Sequence, residues 1–201
     1  MEVVVLIVAD DRAVVEADLA AGRLLCPRCR VGVLGGWGCS RLREVRTREG
    51  VRRLRPRRGR CRDQGCRATH VLLPAVCLAR RRFGVEVIGA AIVGKAAGEG
   101  HRRIAVRLGV AKDTVRGWLR RFGLRGEAIR THFTRWAVAL DAELGPVLRA
   151  GSVLADVLEA IAIAARSWVL RFGPRPVWQI VSFLSGGVLL SNTRAPFPPV
   201  R

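Results

Sequence analysis

The segment Arg102–Phe122, RRIAVRLGVAKDTVRGWLRRF, constrains the fold more than any other stretch of the chain. Ile104, Ala105 and Leu108 fall at i, i+1 and i+4, one apolar face of a short helix. Gly109 follows at once, where a chain leaving a helix often needs a left-handed residue. Val110 is an apolar plug in the turn. Val115, Trp118, Leu119 and Phe122 then repeat at helical spacing and make a stripe roughly 100° wide. The opposite side collects Asp113, Arg116, Gly117, Arg120 and Arg121. Asp113 stands in the first turn, where the helix dipole favours a carboxylate. Ala111 occupies the position of the usual Ser or Thr cap, so this helix is weakly capped. Two short helices, a tight turn and an arginine-lined second helix are the form of a helix-turn-helix, which lays its second helix in the major groove of DNA. An ordinary pair of amphipathic helices with a solvated basic face has the same periodicity. The order L-G-V-x-x-x-T-V-x-x-W-L is more demanding than periodicity alone.

The candidate DNA contacts on this unit are Lys112, Thr114, Arg116, Arg120 and Arg121, with Arg102 and Arg103 at the start of the preceding helix. Thr114 is short enough to meet a phosphate or a base. Residues 83–97 supply the first helix of a trihelical unit, with Val87, Ile88, Ala91 and Ile92 as its core face.

Charge supports a polyanionic partner. The chain of 201 residues carries a formal net charge of +20, unevenly spread. Residues 1–22 are net acidic, whereas residues 23–82 hold 18 arginines against three acids. Such asymmetry points to nucleic acid first. Only Lys95 and Lys112 are lysine. Arginine makes bidentate contacts to guanine and phosphate that lysine does not, but a GC-rich coding bias also raises Arg, Ala and Gly together.

Six cysteines lie within this basic stretch: Cys26, Cys29, Cys39, Cys61, Cys66 and Cys77. Cys26-Pro-Arg-Cys29 has the C-x2-C spacing that turns two thiolates toward one metal. Cys61 and Cys66 form a C-x4-C, also within zinc-knuckle range. Between them Leu42–Thr47 alternates, Arg48-Glu49-Gly50 can turn and Val51–Pro56 returns; beyond Cys66, Thr69–Leu73 is a further strand candidate. Two knuckles joined by hairpins predict a zinc ribbon with one structural Zn2+ on Cys26, Cys29, Cys61 and Cys66. Exchange of Cys39 or His70 for one ligand stays open, and Cys39 and Cys77 otherwise read as buried thiols. Arg52, Arg53, Arg55, Arg57, Arg58 and Arg60 crowd nine residues of this module. They track a phosphate backbone on a ribbon hairpin, or form a solvated basic loop with salt-sensitive affinity.

L-C-P-R-C at 25–29, W-G at 37–38, the arginine-rich return to Cys61, A-T-H-V-L-L-P at 68–74 and the helix-turn-helix together resemble bacterial zinc-ribbon plus helix-turn-helix proteins. These are similar to the N-terminal DNA-binding regions of insertion-sequence transposases. The resemblance covers roughly residues 23–125. It implies DNA binding through both modules and zinc on the paired cysteines. The chain departs from that pattern at the second knuckle, where x2 is usual and x4 stands.

The remaining chain reads as helices over 127–143, 151–172 and 176–190, broken at Gly145-Pro146 and Gly173-Pro174. Trp136, Trp168 and Trp178 belong in its core or at an interface. A transposase catalytic core needs a carboxylate set on a mixed sheet to hold metal ions. The only acids after the helix-turn-helix are Glu127, Asp141, Glu143, Asp156 and Glu159, all on expected helices. The expectation is therefore a non-enzymatic protein. Val3–Val8 reads as a strand and not a secretory signal, and Val177–Leu190 is short for a membrane span.

The expected fold is α+β and mostly α. It has a strand and helix in 1–22, a ribbon in 23–82, a helix-turn-helix in 83–125, a helical region in 126–190 and a loose tail in 191–201. The expected partner is double-stranded DNA, with self-association through the C-terminal helices and no membrane. The expected location is cytoplasmic and nucleoid-associated. RNA or general nucleic-acid binding, and an accessory role beside a recombinase or polymerase, are the alternatives.

Overall fold

The computed structural model describes residues 5–148, 151–190, 197, 198 and 200. Among them the chain is mixed α/β, with six strands and seven helices. The first half contains β1 (Val5–Val8), α1 (Arg12–Ala20), β2 (Leu34–Cys39), β3 (Arg43–Thr47), β4 (Gly50–Leu54), β5 (Arg57–Cys61) and β6 (Thr69–Pro74). One sheet has the order β1-β6-β5-β2, and β3 and β4 pair separately as a hairpin.

The N-terminal strand does not stand apart from the cysteine-bearing segment. β1 runs parallel to β6, with Val5 opposite Val71 and Val8 opposite Pro74. The rest of the sheet is antiparallel. On one face α1 covers Val8, Leu34, Cys61 and Leu72 with Val15 and Leu19. On the other, Ile7 and Leu73 pack with Val45 of the hairpin and with Ala75, Val76 and Cys77. β6 is therefore buried on both sides, which explains its unbroken apolar run Val71-Leu72-Leu73. Asp11 caps α1 by accepting a hydrogen bond from the Ala13 amide at 2.8 Å.

The second half is helical: α2 (Val85–Ala96), α3 (His101–Leu108), α4 (Lys112–Leu124), α5 (Gly126–Leu140), α6 (Val153–Phe172) and α7 (Val177–Leu184). Helices α2, α3 and α4 each pack on the other two. Gly109 ends α3 with φ of 60°, the left-handed conformation its position in the sequence demands. Val110 is buried in the turn, and Val115, Trp118 and Phe122 are buried on α4. Val87, Ile88, Ala91 and Ile92 form the buried face of α2 as the sequence indicates. One apolar cluster runs through all six helices from Leu78 to Leu190. Gly89 makes part of it possible, since a Cβ there would lie 2.1 Å from the Trp178 ring.

The last three helices are shorter than the sequence suggests. α5 stops at Leu140, and α6 starts at Val153, where Ser152 Oγ accepts from the Ala155 amide. α7 ends at Leu184 because Gly186 and Gly187 take φ of 59° and 75°, and no helix continues to 190. Leu189 and Leu190 are nevertheless fully packed. The loose tail expected over 191–201 falls largely outside the described residues. Within it Phe197 stacks on His132 at 4.4 Å. Trp136, Trp168 and Trp178 are half-buried against the helical core. No helix among the described residues is long and apolar enough to cross a membrane.

Candidate metal centre and basic surfaces

Register brings the two cysteine pairs together. Leu34 of β2 lies opposite Cys61 of β5, and the bridge between Leu25 and Val33 closes the first loop beside it. The Cys26 amide donates to the Gly32 carbonyl at 2.7 Å, and the Gly32 amide donates to Cys29 Sγ at 3.3 Å. In the second loop the Cys66 and Arg67 amides both donate to the Asp63 carbonyl. Each second cysteine is followed by an arginine of positive φ, Arg30 at 63° and Arg67 at 47°. The C-x4-C loop thus ends in the same turn as the C-x2-C loop, and its two extra residues are absorbed before that turn.

The sulfurs of Cys26, Cys29, Cys61 and Cys66 all lie within 4.8 Å of one another. Cys26 and Cys66 are 3.8 Å apart, and Cys29 and Cys61 are 3.7 Å apart. Four sulfurs about 2.3 Å from a central Zn2+ stand about 3.8 Å apart at the corners of a tetrahedron. The separations are far beyond a disulfide bond, and all six cysteines are free thiols. The residues present therefore fit a metal with no open coordination position. His70, buried on β6, sets Nε2 3.3 Å from Cys26 Sγ.

Backbone donors and burial act unequally on the four thiols. The Gly32 and Val31 amides hold Cys29 down to about 6. Burial, with the neighbouring thiols, pushes Cys61 up to about 12, and burial also raises Cys26. Four thiolates cannot crowd this volume without a positive charge among them. Cys39 and Cys77 stand outside the cluster. Cys39 lies 3.7 Å from Arg57 Nη1, and Cys77 is a core thiol that burial raises to about 11.

The arginines of 52–60 do not form one loop. Arg52 and Arg53 lie on β4, Arg55 precedes the corner at Pro56, and Arg57, Arg58 and Arg60 lie on β5 in the other sheet. Arg52, Arg53 and Arg55 are exposed, and Arg53 pairs with Glu44 at 3.1 Å. Arg57 is turned inward, contrary to its expected place on a phosphate-facing row. Its Nε lies 2.7 Å from Glu16 of α1, its Nη1 donates to the Gly38 carbonyl at 2.8 Å, and its side chain is only 19% exposed. Alternation along β5 is the reason: if Arg57 faces α1, Arg58 faces away. Arg58 donates to Thr69 Oγ1 at 3.2 Å.

On the helices, Arg102, Arg103, Lys112, Arg116 and Arg120 are exposed, and Thr114 and Arg121 are half-buried. None of these basic groups enters an ion pair among the described residues. Ala111 offers α4 no side-chain cap. Arg107 differs from its neighbours, closing two hydrogen bonds on Glu99. Periodicity does not reveal the arginines that brace backbone: Arg43 donates to the Arg81 carbonyl, Arg81 to the Leu190 carbonyl, and Arg125 to the Val188 carbonyl. No family model, curated protein or solved structure matches the chain.

Proposed function

We propose that this chain is a non-enzymatic, sequence-specific DNA-binding protein in which a zinc ribbon and a helix-turn-helix work side by side. The observation that carries this reading is the solvent face of α4. Lys112, Arg116 and Arg120 stand exposed, with no ion pair among the described residues, on a helix held by α2 and α3 across a tight left-handed turn. A helix so presented enters the major groove, where Arg116 and Arg120 make bidentate contacts to guanine. Thr114 and Lys112, at its start, reach the backbone or a base edge. Arg102, Arg103 and Arg121 meet flanking phosphates, and Arg52, Arg53 and Arg55 of the hairpin add grip without reading sequence.

Zn2+ on Cys26, Cys29, Cys61 and Cys66 is structural in this reading, fixing β2 against β5. On the motif resemblance of 23–125 to the N-terminal regions of insertion-sequence transposases, we infer a regulator or a transposase-derived targeting module in the nucleoid. Self-association through α5–α7 suits the large apolar side chains left exposed there, Val138, Leu170 and Phe172.

Selection of bound duplexes from a random pool, followed by titration at fixed salt, tests the reading. The double variant Arg116→Ala, Arg120→Ala loses about tenfold or more for the selected site, since each good bidentate pair contributes about 1–3 kcal/mol of discrimination. Unchanged affinity in that variant removes α4 as the reading head.

A further inference from the structure

A second surface lies on the sheet, apart from α4. In β2, Gly36 pairs with Gly59 and Cys39 with Arg57, so Trp37 and Gly38 together oppose Arg58 alone. This is a β-bulge, with Gly38 at φ of 72°. Bulges re-aim a side chain, and here the re-aimed residue is a tryptophan left 49% exposed. Arg60 lies over its ring, with Cζ 4.4 Å from the centroid. Exposed Arg62 lies across Gly35, whose missing side chain gives it room: a Cβ there would stand 2.8 Å from Arg62 Nε.

Arg58 and Arg60 share the face of β5 that looks away from α1 and Glu16, and Arg62 continues the same alternation just past the strand end. None of the three meets a carboxylate among the described residues. β2 is the edge of its sheet, so the surface is open along one side. The result is a basic strip about 13 Å long with one aromatic ring at its margin.

We propose that this face binds single-stranded nucleic acid, with an unpaired base stacked on the solvent side of the Trp37–Arg60 pair and the adjoining phosphates on Arg58 and Arg62. A base inside a duplex has both faces covered by its neighbours, so only an unpaired base can use the indole. The arginines supply the charge complementarity, and the ring supplies contact that does not depend on sequence. The site does not require α4 to read duplex DNA.

The test uses the zinc-loaded 201-residue chain with labelled short oligothymidylate and oligouridylate, and with the duplex selected above as control. Trp37→Leu weakens oligonucleotide binding about tenfold, whereas Trp37→Phe stays within about twofold of the parent. Arg62→Ala, an exposed change that leaves the fold intact, lowers the slope of log affinity against log salt by about 0.7. Duplex affinity stays unchanged in both the Trp37 and the Arg62 variants, and Arg116→Ala, Arg120→Ala leaves oligonucleotide binding unchanged. Preference for one oligomer assigns DNA or RNA as the natural source of the strand. Equal binding by Trp37→Leu together with an unaltered salt slope in Arg62→Ala overturns the proposal. So does full displacement of the oligonucleotide by an equimolar oligoglutamate peptide, which would make the surface an acidic-peptide site.

Discussion

The ring of Phe83 meets that of Trp118 edge-on, with centroids 5.0 Å apart and planes at 74°. Trp118 is the central buried residue of α4, and Phe83 lies on the segment that joins the sheet region to α2. Backbone bonds tie that segment to β3: the Arg46 amide donates to the Arg82 carbonyl, and the Gly84 amide donates to the Arg46 carbonyl. The contact therefore couples the cysteine-bearing half to the helix proposed to read DNA. Phe83→Ala is expected to cost about 2 kcal/mol, since the half-buried ring loses both area and an edge-to-face pair. Phe83→Leu keeps most of the area and costs less. Urea denaturation measures both; equal stability of Phe83→Ala and the parent would show that the pair couples nothing.

Metal removal is expected to act on the same half. Sulfur separations of 3.7 and 3.8 Å fit one tetrahedral ion, and the proposed zinc site holds one per chain. Cys26→Ser or Cys61→Ser is expected to lower zinc content to well below one per chain, whereas Cys39→Ser and Cys77→Ser leave it intact. Chelation should unfold the sheet half more than the helical half, whose apolar core contains none of the six cysteines. Elemental analysis with far-ultraviolet circular dichroism checks each step, and stoichiometric zinc in Cys61→Ser would remove it from the ligand set.

The sequence made local features legible and non-local ones obscure. The turn at Gly109, the plug at Val110 and the stripe of Val115, Trp118 and Phe122 follow from spacing within one segment. The ligand set follows from two short spacings. Arg57 could not be placed that way, because its direction depends on where β5 pairs with β2 and on Glu16, 41 residues away. His70 is similar: its strand was expected, but its approach to Cys26 comes from the register that sets it opposite Gly59. Trp37 stood in a glycine-rich run whose bulge exists only against Arg58. The end of α7 is hidden for another reason: the apolar run through Gly186-Gly187 is continuous in residue type, and only the positive φ of the two glycines breaks the helix.

Arg57 and Arg55 give opposite expectations despite lying two residues apart. Arg57 braces α1 against the sheet through Glu16 and the Gly38 carbonyl. Glu16 is 42% exposed, so solvent screens the pair, and Arg57→Ala costs about 1 kcal/mol. Arg55 is exposed, and Arg55→Ala changes stability by less than about 0.5 kcal/mol. On duplex DNA the order reverses, with Arg55→Ala lowering the salt slope by about 1 and Arg57→Ala leaving it unchanged. Thermal melts and salt titrations of the two variants separate these roles, and a lowered slope in Arg57→Ala would return that residue to the phosphate-facing row.

His132 gives the fold an acid-sensitive point. It is buried on α5, its Nε2 donates to the Leu184 carbonyl at 2.8 Å, and Phe197 stacks on its ring. Burial holds its pKa below the ordinary value of 6.5, and the nearby Arg135 and Arg125 cations push in the same direction. The unfolded chain thus takes up a proton that the folded chain refuses. The contribution of neutral His132 is fully present above about pH 6.5 and declines as the pH falls from there toward the lower native value. His132→Gln keeps an N–H donor for Leu184 and cannot titrate in this range. Both proteins share the cysteine site, so proton competition there cancels in their difference. The stability advantage of the parent over His132→Gln should therefore shrink between about pH 7.5 and pH 5.5. Urea midpoints measured across that interval decide the matter, and a constant difference would mean that the imidazole titrates alike in the folded and unfolded chains.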